Sequence, residues 1–423
     1  MNRVIVVGGG AAGFFAAITC AEASPQTQVT ILERGPEFLQ KVRISGGGRC
    51  NVTHACFDPR ELTRRYPRGE RELIGPYHRF QAEDTVRWFE SRGVKLKVEP
   101  DGRMFPTTDK SQTIIDCLLN AARKNKIELI LNRAVTAVTR SPTSSGGFNL
   151  TTSSGENLQN LECNKLVLAT GGARTPALAA LATSLGHTLE PPVPSLFTFH
   201  INVDWVKRLA GLSVPEAEAS VPGTTLRERG PILFTHWGLS GPCILRLSAW
   251  GARDLEKLQY KFPLQINWLG QPEDKLRAAL DSLARANSAK QITNTPLPPL
   301  PSRLWTELLA LAQIKPDTRW SAFSRTAQQS LLRTLTATEL PVSGKSLNKD
   351  EFVTCGGIRL SEVNFKTMES KLVPGLHFAG ELLDIDGITG GFNFQAAWTT
   401  GWIAGNAIAE SMNRTGGTDD NAL

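Results

Sequence analysis

A strand-helix-strand pattern in the first 32 residues, a return of glycine-rich αβ texture after residue 350, and a different texture between them predict an α/β protein. The expected architecture is a discontinuous Rossmann-like dinucleotide-binding domain, residues 1–190 and 350–423, with an inserted β-rich domain, 191–271, and a small helical domain, 272–349. A chain of 423 residues exceeds what one simple core organises, which agrees with division into domains.

The elements follow in order. Val4–Val7 is an apolar strand; Gly8-Gly9-Gly10-Ala11-Ala12-Gly13 turns it into a small-residue helix from Ala11 on; Val29–Leu32 is a second strand. This is a β-α-β unit, which implies a parallel sheet with a right-handed crossover. Lys165–Thr170, ending at Gly171-Gly172, reads as another strand of that sheet. After Pro191-Pro192 come short strand patterns, Phe197–Ile201 and Tyr260–Trp268, broken by Gly and Pro. From Pro272 the period is helical, over Lys275–Leu283, Leu304–Leu311 and Ala327–Leu335, with a proline-rich hinge at Thr295–Pro301. Glycine-rich αβ character returns from Thr354 to Ala409, and Asn413–Leu423 reads as a frayed polar tail.

Composition limits the function classes. Hydrophobic residues are 41% and charged residues 21%, the balance of an ordered globular chain. Lys plus Arg number 47 against 40 Asp plus Glu, a net charge of +7, so the surface is matched to an anion: either a phosphate-rich cofactor or a nucleic acid. Seven cysteines without a C-x-x-C pair exclude a disulfide framework and a structural zinc site, and no metal is expected. No export signal and no run of 18 apolar residues occurs, so a cytoplasmic protein outside the membrane is expected.

Gly8, Gly10 and Gly13 satisfy G-x-G-x-x-G after a strand and at the start of a helix, so the amides of Ala11, Ala12 and Gly13 face a pyrophosphate. Glu33, at the end of the second strand, is placed for ribose hydroxyls, which favours FAD or NAD over NADP; Arg34 beside it leaves that choice open. The far segment Gly380–Ala397 selects FAD. It follows the strand His377–Ala379 and passes through Gly390-Gly391 into a helix whose N-terminus suits negative charge at the pyrimidine edge of a flavin. Gly380, Glu381, Asp384, Gly391, Phe392 and Asn393 are its candidate cofactor residues. Between the two ends, Arg43, Gly47, Gly48, Arg49, Cys50 and Asn51 form an arginine-flanked glycine loop for the pyrophosphate or the flavin carbonyls. Val135, Thr170 and Gly171 complete the expected FAD set.

With these motifs the chain resembles the BaiN/RdsA (YhiN-like) group of FAD-dependent oxidoreductases. The resemblance runs through Ser45–Asn51, Gly102–Pro106, Ala169–Gly172, Leu233–Pro242 and Gly380–Gln395. It implies FAD, NADH or NADPH as electron donor, and reduction of a carbon-carbon double bond. Members of the group are linked to dihydrouridine formation in ribosomal RNA and to reduction of steroid-like bile-acid intermediates. Saturating the 5,6 bond of uracil needs a hydride at C6 from the flavin and a proton at C5 from the protein. Cys50, in the loop beside the flavin and near arginines, and His236, in a glycine-rich turn of the insert, are candidate donors; Arg103 is a candidate for the substrate cleft. Arg60, Arg64, Arg65, Arg68 and Arg71, interleaved with Tyr66, are candidate RNA contacts through phosphate pairing and base stacking. The expected function is therefore uridine reduction in ribosomal RNA; a small enone or steroid-like substrate, or a non-catalytic flavin protein, are the alternatives.

Overall fold

The computed structural model describes residues 2–141, 147–172, 176–346 and 353–416. The chain forms two compact units, Met1–Val193 with Lys349–Leu423, and Pro194–Asn348.

The first unit is built on a seven-stranded sheet. At its centre β1 (Arg3–Val7) pairs in parallel with β2 (Gln28–Leu32) on one side and with Lys165–Leu168 on the other. Glu128–Ile130 extends the sheet beyond β2; Leu376–Phe378 extends it beyond Lys165–Leu168, followed by the antiparallel pair Glu369–Ser370 and Val363–Asn364. Strands covered on both faces must be apolar throughout, and Val4–Val7 and Val29–Leu32 are buried at every position. Helix α1 (Ala11–Ala23) is likewise buried almost all round, packed between the sheet and the C-terminal helix Phe392–Gly416, which its Ala-rich surface allows. Two small antiparallel sheets flank this core, one of Thr53–His54, Arg103–Pro106 and Leu96–Val98, the other of Ala134–Arg140, Phe148–Ser154 and Asn157–Cys163. Asn413 lies in the C-terminal helix and accepts from Ser24 Oγ at 2.8 Å, so the polar tail begins later than Asn413; residues 417–423 lie outside the described residues.

The second unit differs from the sequence expectation. The β-rich and helical segments were expected as separate bodies; they share one core. Thr198–Ile201, Gly238–Ser240, Arg227–Thr235, Ser213–Ser220, Phe262–Asn267 and Thr338–Ser346 close into a barrel. Its last strand arrives only after the helices Glu273–Ala286, Ser302–Leu311 and Arg325–Ala337. The barrel cannot close without chain that lies beyond them. The helices bury Leu276, Leu280, Leu308 and Leu332 in the cluster that holds Phe199, Phe234, Leu264 and Trp268 of the barrel. The proline-rich segment is no hinge: Leu297 and Leu300 are buried in the same cluster. Among the described residues no helix is long and apolar enough to cross a membrane.

Candidate functional site

The glycine turn sits at the C-terminal edge of β1, where ligands bind in open parallel sheets. Gly10 caps α1, and the first-turn amides of Ala11, Ala12 and Gly13 have no acceptor within the helix. A Cβ on Gly13 would lie 2.0 Å from Gly8 O, so only glycine lets helix and turn approach this closely. The Glu33 carboxylate accepts from Gly9 N–H at 2.8 Å with one oxygen and from Gly35 N–H at 2.8 Å with the other. It braces the turn and keeps lone pairs free for ribose hydroxyls. A cleft opens here, lined by Gly8, Glu33, Arg34, Arg133, Val135 and Thr170. The Thr170 hydroxyl is shielded from solvent and has no hydrogen-bond partner, a polar group placed for a ligand. Donor amides, a carboxylate and an unpartnered hydroxyl fit the adenosine and pyrophosphate of FAD. Arg133 escaped the sequence reading because nothing in its neighbourhood marks it; the strand pairing of 134–140 brings it to the cleft.

The second part of the site comes from segments far apart in sequence. After the short helical turn at Gln40, Gly46, Gly47, Gly48 and Cys50 adopt left-handed φ values of 59°, 67°, 82° and 63°. Asn51 joins this loop to the C-terminal segment. With its amide oriented to satisfy both partners, it donates to Thr53 O at 3.0 Å and accepts from Gly391 N–H at 2.9 Å. Gly391, at φ 93°, packs so closely that a Cβ would lie 2.6 Å from Thr53 O. The helix begins at Phe392, and the amides of Phe392, Asn393 and Phe394 are left without intrahelical acceptors, donors suited to the flavin carbonyls. Asn393 closes the preceding loop by bonding both Gly387 N–H and Gly387 O at 2.9 Å.

Neighbouring polar groups hold the segment in place. Glu381 accepts from Thr354 N–H at 2.8 Å and pairs with Lys41; Asp384 accepts from Gly356 N–H at 3.0 Å; Gly380 N–H donates to Thr400 Oγ1 at 2.9 Å. His54 was not anticipated. Its ring stacks on Phe392, centroids 4.7 Å apart, with burial and then the nearby Arg65 charge holding its pKa below the ordinary value.

Several expected roles are revised. Cys50 is fully buried in the apolar core of this unit, and desolvation pushes its thiol up to about 12. Arginines do not lower it, because they do not reach it: Arg49 pairs with Glu99 at 2.6 Å and lies over the Phe105 ring, and Arg43 bonds Gln112 at 2.8 Å. Cys50 is therefore a packing residue. Cys50→Ala is expected to keep full flavin content and turnover, and the native thiol to resist alkylation at pH 8; an inactive, flavin-loaded Cys50→Ala enzyme would restore it as a catalyst. Arg103 joins the same brace, bonding Asp101 at 2.7 Å and Glu99 at 3.1 Å, so it is not free for a substrate.

The basic stretch divides. Tyr66 is fully buried and its hydroxyl donates to Phe392 O at 2.5 Å, so it cannot stack on a base. Arg68 forms a two-pronged ion pair with the buried Asp386. Arg64 pairs with Glu61 at 2.5 Å. Arg60, Arg65 and Arg71 are exposed, and no ion pair among the described residues engages them. His236 lies in the second unit, exposed at the tip of a barrel hairpin.

The family model for the HI0933-like protein Rossmann domain matches residues 2–407. The chain is 32% identical over 408 residues to the ribosomal RNA dihydrouridine synthase of Escherichia coli (strain K12), covering 94% of this chain and 96% of that protein. It is 29% identical over 423 residues to the 3-dehydro-bile acid delta(4,6)-reductase of Clostridium scindens, covering 97% of this chain and all of that one, 100%. Among solved structures, the 3-ketosteroid delta1-dehydrogenase of Sterolibacterium denitrificans superposes with a TM-score of 0.51 at 13% identity, covering 97% of this chain and 100% of that one, a likeness of fold. With a Rossmann-type FAD-binding fold, a fitting cofactor site and a family match over nearly its whole length, the chain belongs to the HI0933-like family and is an FAD-dependent oxidoreductase.

Proposed function

We propose that this enzyme reduces uridine to dihydrouridine in ribosomal RNA in the cytoplasm, with NADH or NADPH as the electron source. The observation that carries the reading is the 32% identity to the Escherichia coli ribosomal RNA enzyme across nearly the full length of both chains. The three unpaired arginines Arg60, Arg65 and Arg71 support it, since exposed guanidinium groups without carboxylate partners suit phosphates.

Bound FAD supplies hydride chemistry; everything else falls to the chain. The amides after Gly10 hold the pyrophosphate, Glu33 the ribose, and the amides from Phe392 the flavin carbonyls, which fixes the cofactor at both ends. A proton must reach C5 of the uracil. Cys50 is buried in the apolar core, so it is not that donor. The base must be presented unpaired, because a stacked base hides the 5,6 bond.

Mass spectrometry of ribosomal RNA from a strain lacking the gene tests the reading. The expected result is loss of dihydrouridine, restored by the wild-type gene and poorly by one carrying Arg60→Ala, Arg65→Ala and Arg71→Ala together. Unchanged dihydrouridine would sink it. A second reading, a reductase of small enones or steroid-like molecules, is favoured by the 29% identity to the bile-acid enzyme. Nicotinamide oxidation driven by such compounds without RNA would support that reading instead.

A further inference from the structure

The barrel carries a display that the cofactor site does not use. Strands Arg227–Thr235 and Gly238–Ser240 are joined through His236-Trp237 at the tip of a hairpin. The tip is pinned. The Thr235 hydroxyl oxygen accepts from the N–H groups of Trp237 and Gly238 at 3.3 and 3.1 Å. Gly238, at φ 146°, lies so close to the adjacent strand that a Cβ would sit 2.2 Å from Phe199 O.

The Trp237 indole is 65% exposed, yet it is not loose. It stacks on the His200 imidazole, centroids 6.2 Å apart and planes inclined by 20°. On the two strands beside His200 the paired residues are Gly238 and Gly344, so neither pairing position brings a side chain that competes for the imidazole. His200 Nε2 is shielded from solvent and has no hydrogen-bond partner. An exposed aromatic face backed by a stacked imidazole matches the main demand of a flat ring: a rigid surface to stack on.

We propose that the Thr235–Gly238 tip and His200 form a stacking platform for an unpaired base of an RNA substrate. The proposal rests on the RNA reading above and adds the residues that receive a base. Single-stranded RNA is bound by stacking on presented aromatic rings, with basic surface for the backbone, and the chain carries a net charge of +7. A steroid-like molecule calls for an enclosed apolar pocket around most of its surface, whereas this indole stands open on a turn beside the His200 imidazole.

The test is fluorescence-anisotropy titration of the FAD-loaded full chain with a labelled single-stranded oligouridine at low salt. Trp237→Ala is expected to weaken binding about tenfold, the measure of one lost base stack, and Trp237→Phe to stay within about threefold. Flavin content and far-ultraviolet circular dichroism are expected to match the wild type in both variants. Wild-type affinity in Trp237→Ala overturns the platform and leaves the RNA reading standing. No oligouridine binding by the wild type, together with unchanged dihydrouridine in the deletion strain, overturns both. Binding of a steroid-like enone that weakens in Trp237→Ala, in a protein that binds no RNA, likewise overturns the proposal.

Discussion

Gly13→Val is expected to yield a folded protein that purifies without its flavin. The Cβ alone would stand 2.0 Å from Gly8 O and 3.3 Å from Val6 Cγ1, so the helix cannot keep its place against the turn. Relief requires α1 to move off β1, which carries the amides of Ala11 and Ala12 away from the pyrophosphate position. Forced overpacking of this kind costs about 3 kcal/mol, which is about a hundredfold in affinity. The measurements are the visible absorbance of the purified protein and the FAD dissociation constant after reconstitution. A Gly13→Val protein with full flavin content would show that the turn does not hold the cofactor.

Arg68→Ala is expected to act on stability. Its partner Asp386 is a side chain with 0% exposure, and Arg68 itself is 11% exposed, so removing the guanidinium takes a charged partner from a buried carboxylate. Breaking one side of a buried pair costs about 3–5 kcal/mol. Arg68 also pins the loop 384–391 that leads into the flavin-side helix, so flavin content should fall with stability. Arg60→Ala, at an exposed position, is expected within about 0.5 kcal/mol of the wild type. Urea unfolding of the two variants side by side makes the comparison, and equal midpoints would remove Arg68 from the structural set.

The contrast between these arginines shows where sequence reasoning reached its limit. Arg60, Arg64, Arg65, Arg68 and Arg71 are indistinguishable as a basic run. Folding separates them, because Asp386, 318 positions away, comes to Arg68, and Glu61 comes to Arg64. Tyr66 likewise reads as a presentable aromatic until the Phe392 carbonyl takes its hydroxyl in the core. Cys50 shares its loop with arginines in sequence, yet they turn outward to Glu99 and Gln112 while the thiol turns inward.

What the sequence determined by itself was the nucleotide end of the protein. The β1-turn-α1 unit, Glu33 and the parallel pairing of β1 with β2 follow from local causes: an apolar strand, glycines where a Cβ would clash, and a carboxylate at the end of the next strand. Those relations act within about 30 residues, so they are legible in order along the chain. The joining of the flavin-end segment to the Asn51 loop, the single core of the barrel and its helices, and the sorting of the arginines belong to the tertiary structure. Asn51 meets Gly391, Arg68 meets Asp386 and Thr338–Ser346 closes the barrel across long stretches of chain. Only packing decides which distant polar group neutralises a charge, because the cost of leaving it buried and alone arises only once the chain has closed around it.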